Sequence, residues 1–193
     1  MAPEPLEMVS IDRRRLVREE IETAIELTFM QGSAIAANLL ASAARDVMRG
    51  IAELKGVVLL GQKMEAAIKP EKLGEVRNLM RANYNFAKHA DRDPQKILPA
   101  FNPEESLWNL FLAVCEYEIL YQQYTIPMKI LSHWMIARHP QLIESDSALH
   151  SSSPDFGEGA SLEKAAKFYE QWKTYKHLSR AYINQKWPPQ IEI

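Results

Sequence analysis

Apolar residues recur at three- and four-residue intervals along most of this chain. That period constrains it more than any motif does, because it is the repeat of an α-helix with one buried face. In SIDRRRLVREEIETAIELTFMQG (residues 10–32), Val17, Ile21, Ala24, Ile25 and Thr28 fall on one stripe, with Glu19, Glu22 and Glu26 opposite. Ser10 stands where an N-cap is needed, and Gly32 where a helix ends in a left-handed conformation. A second helix is expected over 33–55, with the stripe Ala36, Leu39, Leu40, Ala43, Val47, Ile51 and Leu54, and Gly56 stops it. Its alanines let a neighbouring helix approach closely. The run VVLL between Gly56 and Gly61 reads as a buried connector or a helical turn, followed by a short helix to Lys69.

Proline marks the later starts, since it is tolerated in a first helical turn. Pro70 opens a helix reaching His89 or Ala90, and Asp93–Pro94 repeats the start signal. Asn102 caps, Pro103 follows, and Glu105 stands three residues on from the cap. The helix from Pro103 to Tyr124 is apolar around most of its circumference, which suits a central position. Pro127 opens another, ending at Arg138. Ser161 caps a last helix reaching Asn184, and WPPQIEI is an extended tail. The expected fold is therefore all-α, an antiparallel bundle of six to seven helices, because short connections place consecutive helices side by side. Its organisation is a flexible N-terminus at 1–9, the bundle at 10–139, a polar loop at 140–160, a C-terminal helix at 161–187 packed on the bundle or on a second subunit, and a tail at 188–193.

The length of 193 residues suits one domain, or one domain with an appendage. A formal charge of −2 argues against a nucleic-acid coat or a membrane-surface binder. Cys115 is the one cysteine, so no internal disulfide closes and no cysteine cluster holds zinc. The first fifteen residues lack the pattern of a secretory signal. No apolar run approaches the roughly 20 residues that span a bilayer. A cytoplasmic location without membrane contact is the expectation.

The stretch NYNFAKHADRDP (residues 83–94) gathers the most chemistry. At about 100° per residue, Val76, Leu79, Met80, Phe86, Ala87 and Ala90 share one side of a single rod over 71–90. Asn78, Arg81, Asn85, Lys88 and His89 share the other. Arg81, Asn85 and His89 follow at four-residue spacing and form a line. One reading is a solvated face with cations at the helix C-terminus, where the dipole favours them. The other is a polar line facing a cleft or a dimer interface. Asn83 interrupts the apolar side, and a buried amide needs hydrogen-bond partners. In the central helix, Leu107, Phe111, Val114, Glu118 and Tyr121 form one stripe, which buries Glu118 and points Glu116 away. A buried carboxylate needs a partner or a raised pKa.

NFAKHADRDP resembles the signature N-F-x-K-H-A-D-R-D-P of an uncharacterised all-helical bacterial family, over residues 15–125. More distantly, Asn85-x-x-x-His89 is similar to part of the motif of HEPN-type helical bundles, which are often dimeric and often cut RNA without metal. That resemblance implies His89 as the proton-moving group, and Arg81 or Lys88 beside the phosphate. The arginine position of the motif holds Tyr84, and Arg81 lies one turn earlier, about 12 Å of helical rise from His89. The resemblance supports the fold more than the activity.

His89, Asp91 and Asp93 could serve a metal, but Asp93 is explained as the cap before Pro94, and His133 and His139 do not share a face. No metal site and no cofactor are expected. The last helix carries Lys164, Lys167, Lys173, Lys176, Arg180 and Lys186 beside a row of Phe168, Trp172, Tyr175 and Tyr182. That row docks on the bundle or a second subunit, or it stacks single-stranded RNA. Two functions are then open. One is a non-catalytic, homodimeric, HEPN-like interaction module of unknown process, open to a protein partner, with Arg81, Asn85 and His89 lining a vestigial or ligand-contacting face and with Lys88, Asn83 and Glu118 as binding or structural polar groups. The other is a metal-independent ribonuclease with His89, Arg81 and Asn85 as its site and RNA as its partner.

Overall fold

The computed structural model describes residues 10–89, 95, 97–98, 100–142 and 161–175. Every regular element among them is helical: α1 (Arg13–Phe29), α2 (Ala34–Lys55), α3 (Leu60–Ala66), α4 (Pro70–Met80), α5 (Ala82–Lys88), α6 (Pro103–Tyr121), α7 (Ile126–Arg138) and α8 (Leu162–Tyr175), with one 3-10 turn at Pro140–Leu142. The protein is an all-α helical bundle, and no described helix is long and apolar enough to cross a membrane. The expected tail, most of the loop at 140–160 and the chain beyond 175 lie outside the described residues, as does the Asp93–Pro94 start signal.

Local chemistry sets most of the boundaries. Asn102 accepts the backbone N–H of Glu104 at 3.0 Å, and Pro103 leads the first turn of α6. Ser33 accepts from Ala36 at 3.2 Å, and Gly56 closes α2 at φ +67°. Ser161 accepts from Lys164 at 3.3 Å.

Two ends of α1 differ from expectation. Asp12, not Ser10, is its N-cap, accepting from Arg15 N–H at 2.7 Å. A carboxylate three residues from that amide displaces the weaker hydroxyl further out. The left-handed residue is Gln31, at φ +52°, while Gly32 donates back to the Leu27 carbonyl at 2.7 Å. A Cβ on Gly32 would stand 3.0 Å from the Leu27 side chain. Glycine is there for close approach rather than for its φ.

The core lies among α1, α2, α6 and α7. The short connection at 30–33 folds α2 back along α1, and α2 also packs along α6. Val17, Ile21, Ala24 and Ile25 of α1 are buried as expected, joined by Phe29. On α2 the buried line is Ala37, Ala41, Ala44, Met48 and Ala52, one step round from the expected stripe, and Leu54 is 84% exposed. All but Met48 on this line are alanines, whose small side chains let α2 pack against both α1 and α6. α8 closes the far side against α1 and α7. Its Tyr169 ring lies 5.3 Å from Phe29, whose ring meets Trp134 edge-on at 5.7 Å.

Candidate functional site

The helices α3, α4 and α5 form an arm that returns across α2 and α6. Leu59, buried, anchors its base, but α5 has no buried side chain. Charge, rather than apolar packing, holds much of the arm in place.

The centre of that attachment is Glu116. Its side chain is turned inward and 3% exposed, whereas Glu118 is exposed on the outer side of α6. This reverses the expected orientation. α6 is apolar nearly all round, so its period does not define a face, and the stripe through Glu118 is displaced from the true buried arc. Arg45 of α2 donates to Glu116 from Nε at 2.9 Å and to Asn109 Oδ1 from Nη1 at 2.7 Å. Gly61, in the first turn of α3, donates its N–H to Glu116 Oε1 at 2.9 Å. Asn109 Nδ2 in turn reaches Asn38 Oδ1 at 2.6 Å and Ser42 Oγ at 2.9 Å. The enclosed Glu116 carboxylate is thus both paired and hydrogen-bonded within the junction.

Outward from Glu116, the arm is tied by further pairs. Glu65 of α3 receives Arg77 Nη2 at 2.7 Å and Arg49 Nη2 at 3.1 Å. The Arg77 hydrogen bond holds the Glu65 carboxyl below its ordinary value, against the opposing effect of burial, and Arg49 adds to it. Asp46 of α2 pairs with Arg81 and stands 3.9 Å from Lys88 Nζ. These groups line a narrow cleft of about 50 Å³ in which four arginines face three carboxylates.

The line of Arg81, Asn85 and His89 does not survive as one face of one rod. The segment 71–90 steps out of helix at Arg81, whose φ of −104° and ψ of 2° fall in the bridge region between α4 and α5. Backbone hydrogen bonds on both sides are kept, Arg81 N–H to Arg77 and Asn85 N–H to Arg81, so the step is a local break rather than a reversal. This break accounts for eight described helices where six to seven are expected. Arg81 lines the charged cleft. Asn85 and His89 are half-buried and belong to the wall of neither cavity, and Ala87, expected on the apolar side, is exposed. The Lys88 ammonium sits 5.2 Å from the Tyr84 ring centre. Asn83 is half-buried on the wall of a second cavity.

That second cavity holds about 470 Å³ and adjoins the charged cleft, sharing Arg45, Met80 and Asn109 with it. Leu60 and Met64 of α3, Met80, and Trp108, Phe111 and Leu112 of α6 make it mostly apolar. None of these residues stood out as a site in sequence. The available signal was an aromatic pair, Trp108 and Phe111, on the side of α6 that the bundle leaves half-covered.

Elsewhere, His133 is buried within α7 and His139 stacks on Trp108 at 4.7 Å between centres. Asp91 and Asp93 lie outside the described residues. Among the described residues no group of three or more His, Cys, Asp or Glu is placed to hold a metal. Comparison with family models, curated proteins and solved structures gives no match for this chain.

Proposed function

We propose that this chain is a non-catalytic helical interaction module, homodimeric and HEPN-like in architecture. One observation supports it above the others. Every arginine lining the charged cleft is engaged by a carboxylate: Arg45 by Glu116, Arg49 and Arg77 by Glu65, Arg81 by Asp46. Metal-free RNA cleavage requires a cation held ready for phosphate beside a proton-moving group. Here Arg81 is occupied by Asp46, and His89 stands away from the cleft. The arrangement suits a structural latch and a surface for another protein better than it suits a reaction.

The test is incubation of the purified full chain with RNA in EDTA, alongside light scattering. No cleavage is expected, with a solution mass about twice the chain's 22.1 kDa. Cleavage that vanishes in His89→Ala would instead establish the ribonuclease reading. A monomeric mass at micromolar concentration would remove the homodimer.

A further inference from the structure

We propose that the 470 Å³ cavity between α2, the α3–α5 arm and α6 binds a small organic cation with an aromatic body. Its volume lies within the roughly 300–1,000 Å³ of small-molecule sites, and its walls are mainly apolar with few polar groups, as in such sites. Trp108 and Phe111, edge to face at 6.3 Å, offer ring surfaces, and Met64 and Met80 offer polarizable, adaptable ones. This inference does not depend on the dimer or on the absence of catalysis.

The sign of charge follows from which polar groups are already engaged. Arg45 reaches the cavity, but it is paired with Glu116 and donates a further hydrogen bond to Asn109. Glu105, on the wall towards the start of α6, has no ion-pair partner among the described residues. Asn83 likewise makes no side-chain hydrogen bond among them and leaves an amide oxygen for a donor. Among the described residues the uncompensated charge of the cavity is therefore negative, and its aromatic faces attract cations as well. Because Glu105 is exposed, its effect is modest and decides between ligands of equal shape, while the apolar walls supply most of the affinity.

Isothermal titration calorimetry of the full chain with naphthyltrimethylammonium and with naphthalenesulfonate tests this, since the two share a body and differ in charge. The cation should bind one per chain with a dissociation constant below about a millimolar, and the anion more weakly. Glu105→Gln should weaken the cation about two- to fivefold and leave the anion unchanged or tighter. Met64→Lys, at an exposed position on the wall, should abolish cation binding without disturbing the fold or the solution mass. The proposal is overturned if neither probe saturates, if the anion binds as tightly as the cation, or if Met64→Lys leaves binding intact. It is also overturned if Met64→Lys converts a dimer to a monomer, because the groove is then covered by a second copy of the chain.

Discussion

At Gly61 the backbone of α3 comes close enough to the Arg45–Glu116 pair that no side chain fits. A Cβ there would stand 2.6 Å from Glu116 Oε1 and 2.7 Å from Arg45 Nη2. Both are ends of flexible side chains, but Glu116 is enclosed and moving it breaks the hydrogen bond from Gly61 itself. Gly61→Ala should therefore lower stability by about 1–3 kcal/mol, the usual cost of overpacking, read as a shift in the urea midpoint at unchanged slope. Arg81→Ala makes the contrast, because its pair with Asp46 is partly open to water, with Arg81 43% exposed. It should cost no more than about 1 kcal/mol. Equal effects of the two substitutions would show that the buried junction contributes no more than a surface pair. Neither Gly61 nor Arg45 is singled out by its neighbours in sequence, because the partner they share, Glu116, lies on α6.

At the level of elements, α8 is held by ring packing against its own chain. Of the aromatic row expected on this helix, Phe168 and Trp172 pack against the core. Its most buried members are Ala165 and Tyr169, just beside that row, while Tyr182 and the Tyr175 side chain lie outside the description. The helix lies on α1 and α7 of its own chain. Tyr169→Ala removes the ring that covers Phe29 and should cost about 2–4 kcal/mol, in the range of large-to-small core changes. Thermal unfolding followed by circular dichroism measures it, and a change below about 0.5 kcal/mol would mean that α8 rests on the bundle without supporting it. The arm of α3 to α5 is the opposite kind of element. It presents few buried apolar groups and is held by ion pairs, which local periodicity does not reveal.

For the molecule as a whole, acid stability should follow His133. Burial, with the nearby Lys129 ammonium adding to it, holds this imidazole below its ordinary value of about 6.5. The unfolded chain then takes up a proton that the folded chain resists. The contribution is complete above about pH 6.5 and is lost as pH falls from there through the folded value. Glu20, raised by burial from the carboxylate value of 4.5, acts with the opposite sign over a window that begins at that value. Urea unfolding at pH 7.5, 6.5 and 5.5, chosen to bracket about 6.5, should show declining stability in the native chain and a shallower decline in His133→Gln. Parallel curves would assign the acid response to other groups.

The amino-acid sequence by itself determined that this chain is helical, where most of the described helices start, and which side of α1 faces inward. Those features depend on interactions among residues within about one or two turns, such as the cap at Asn102 and the left-handed stop at Gly56. Only the tertiary structure decided which arc of α6 is buried, that Glu116 and not Glu118 is the enclosed carboxylate, and that Arg81 and His89 face different surroundings. Arg45 and Glu116 are 71 positions apart. A helix that is apolar nearly all round has no preferred face until its neighbours are in place, and a charge has no partner until the fold brings one within reach.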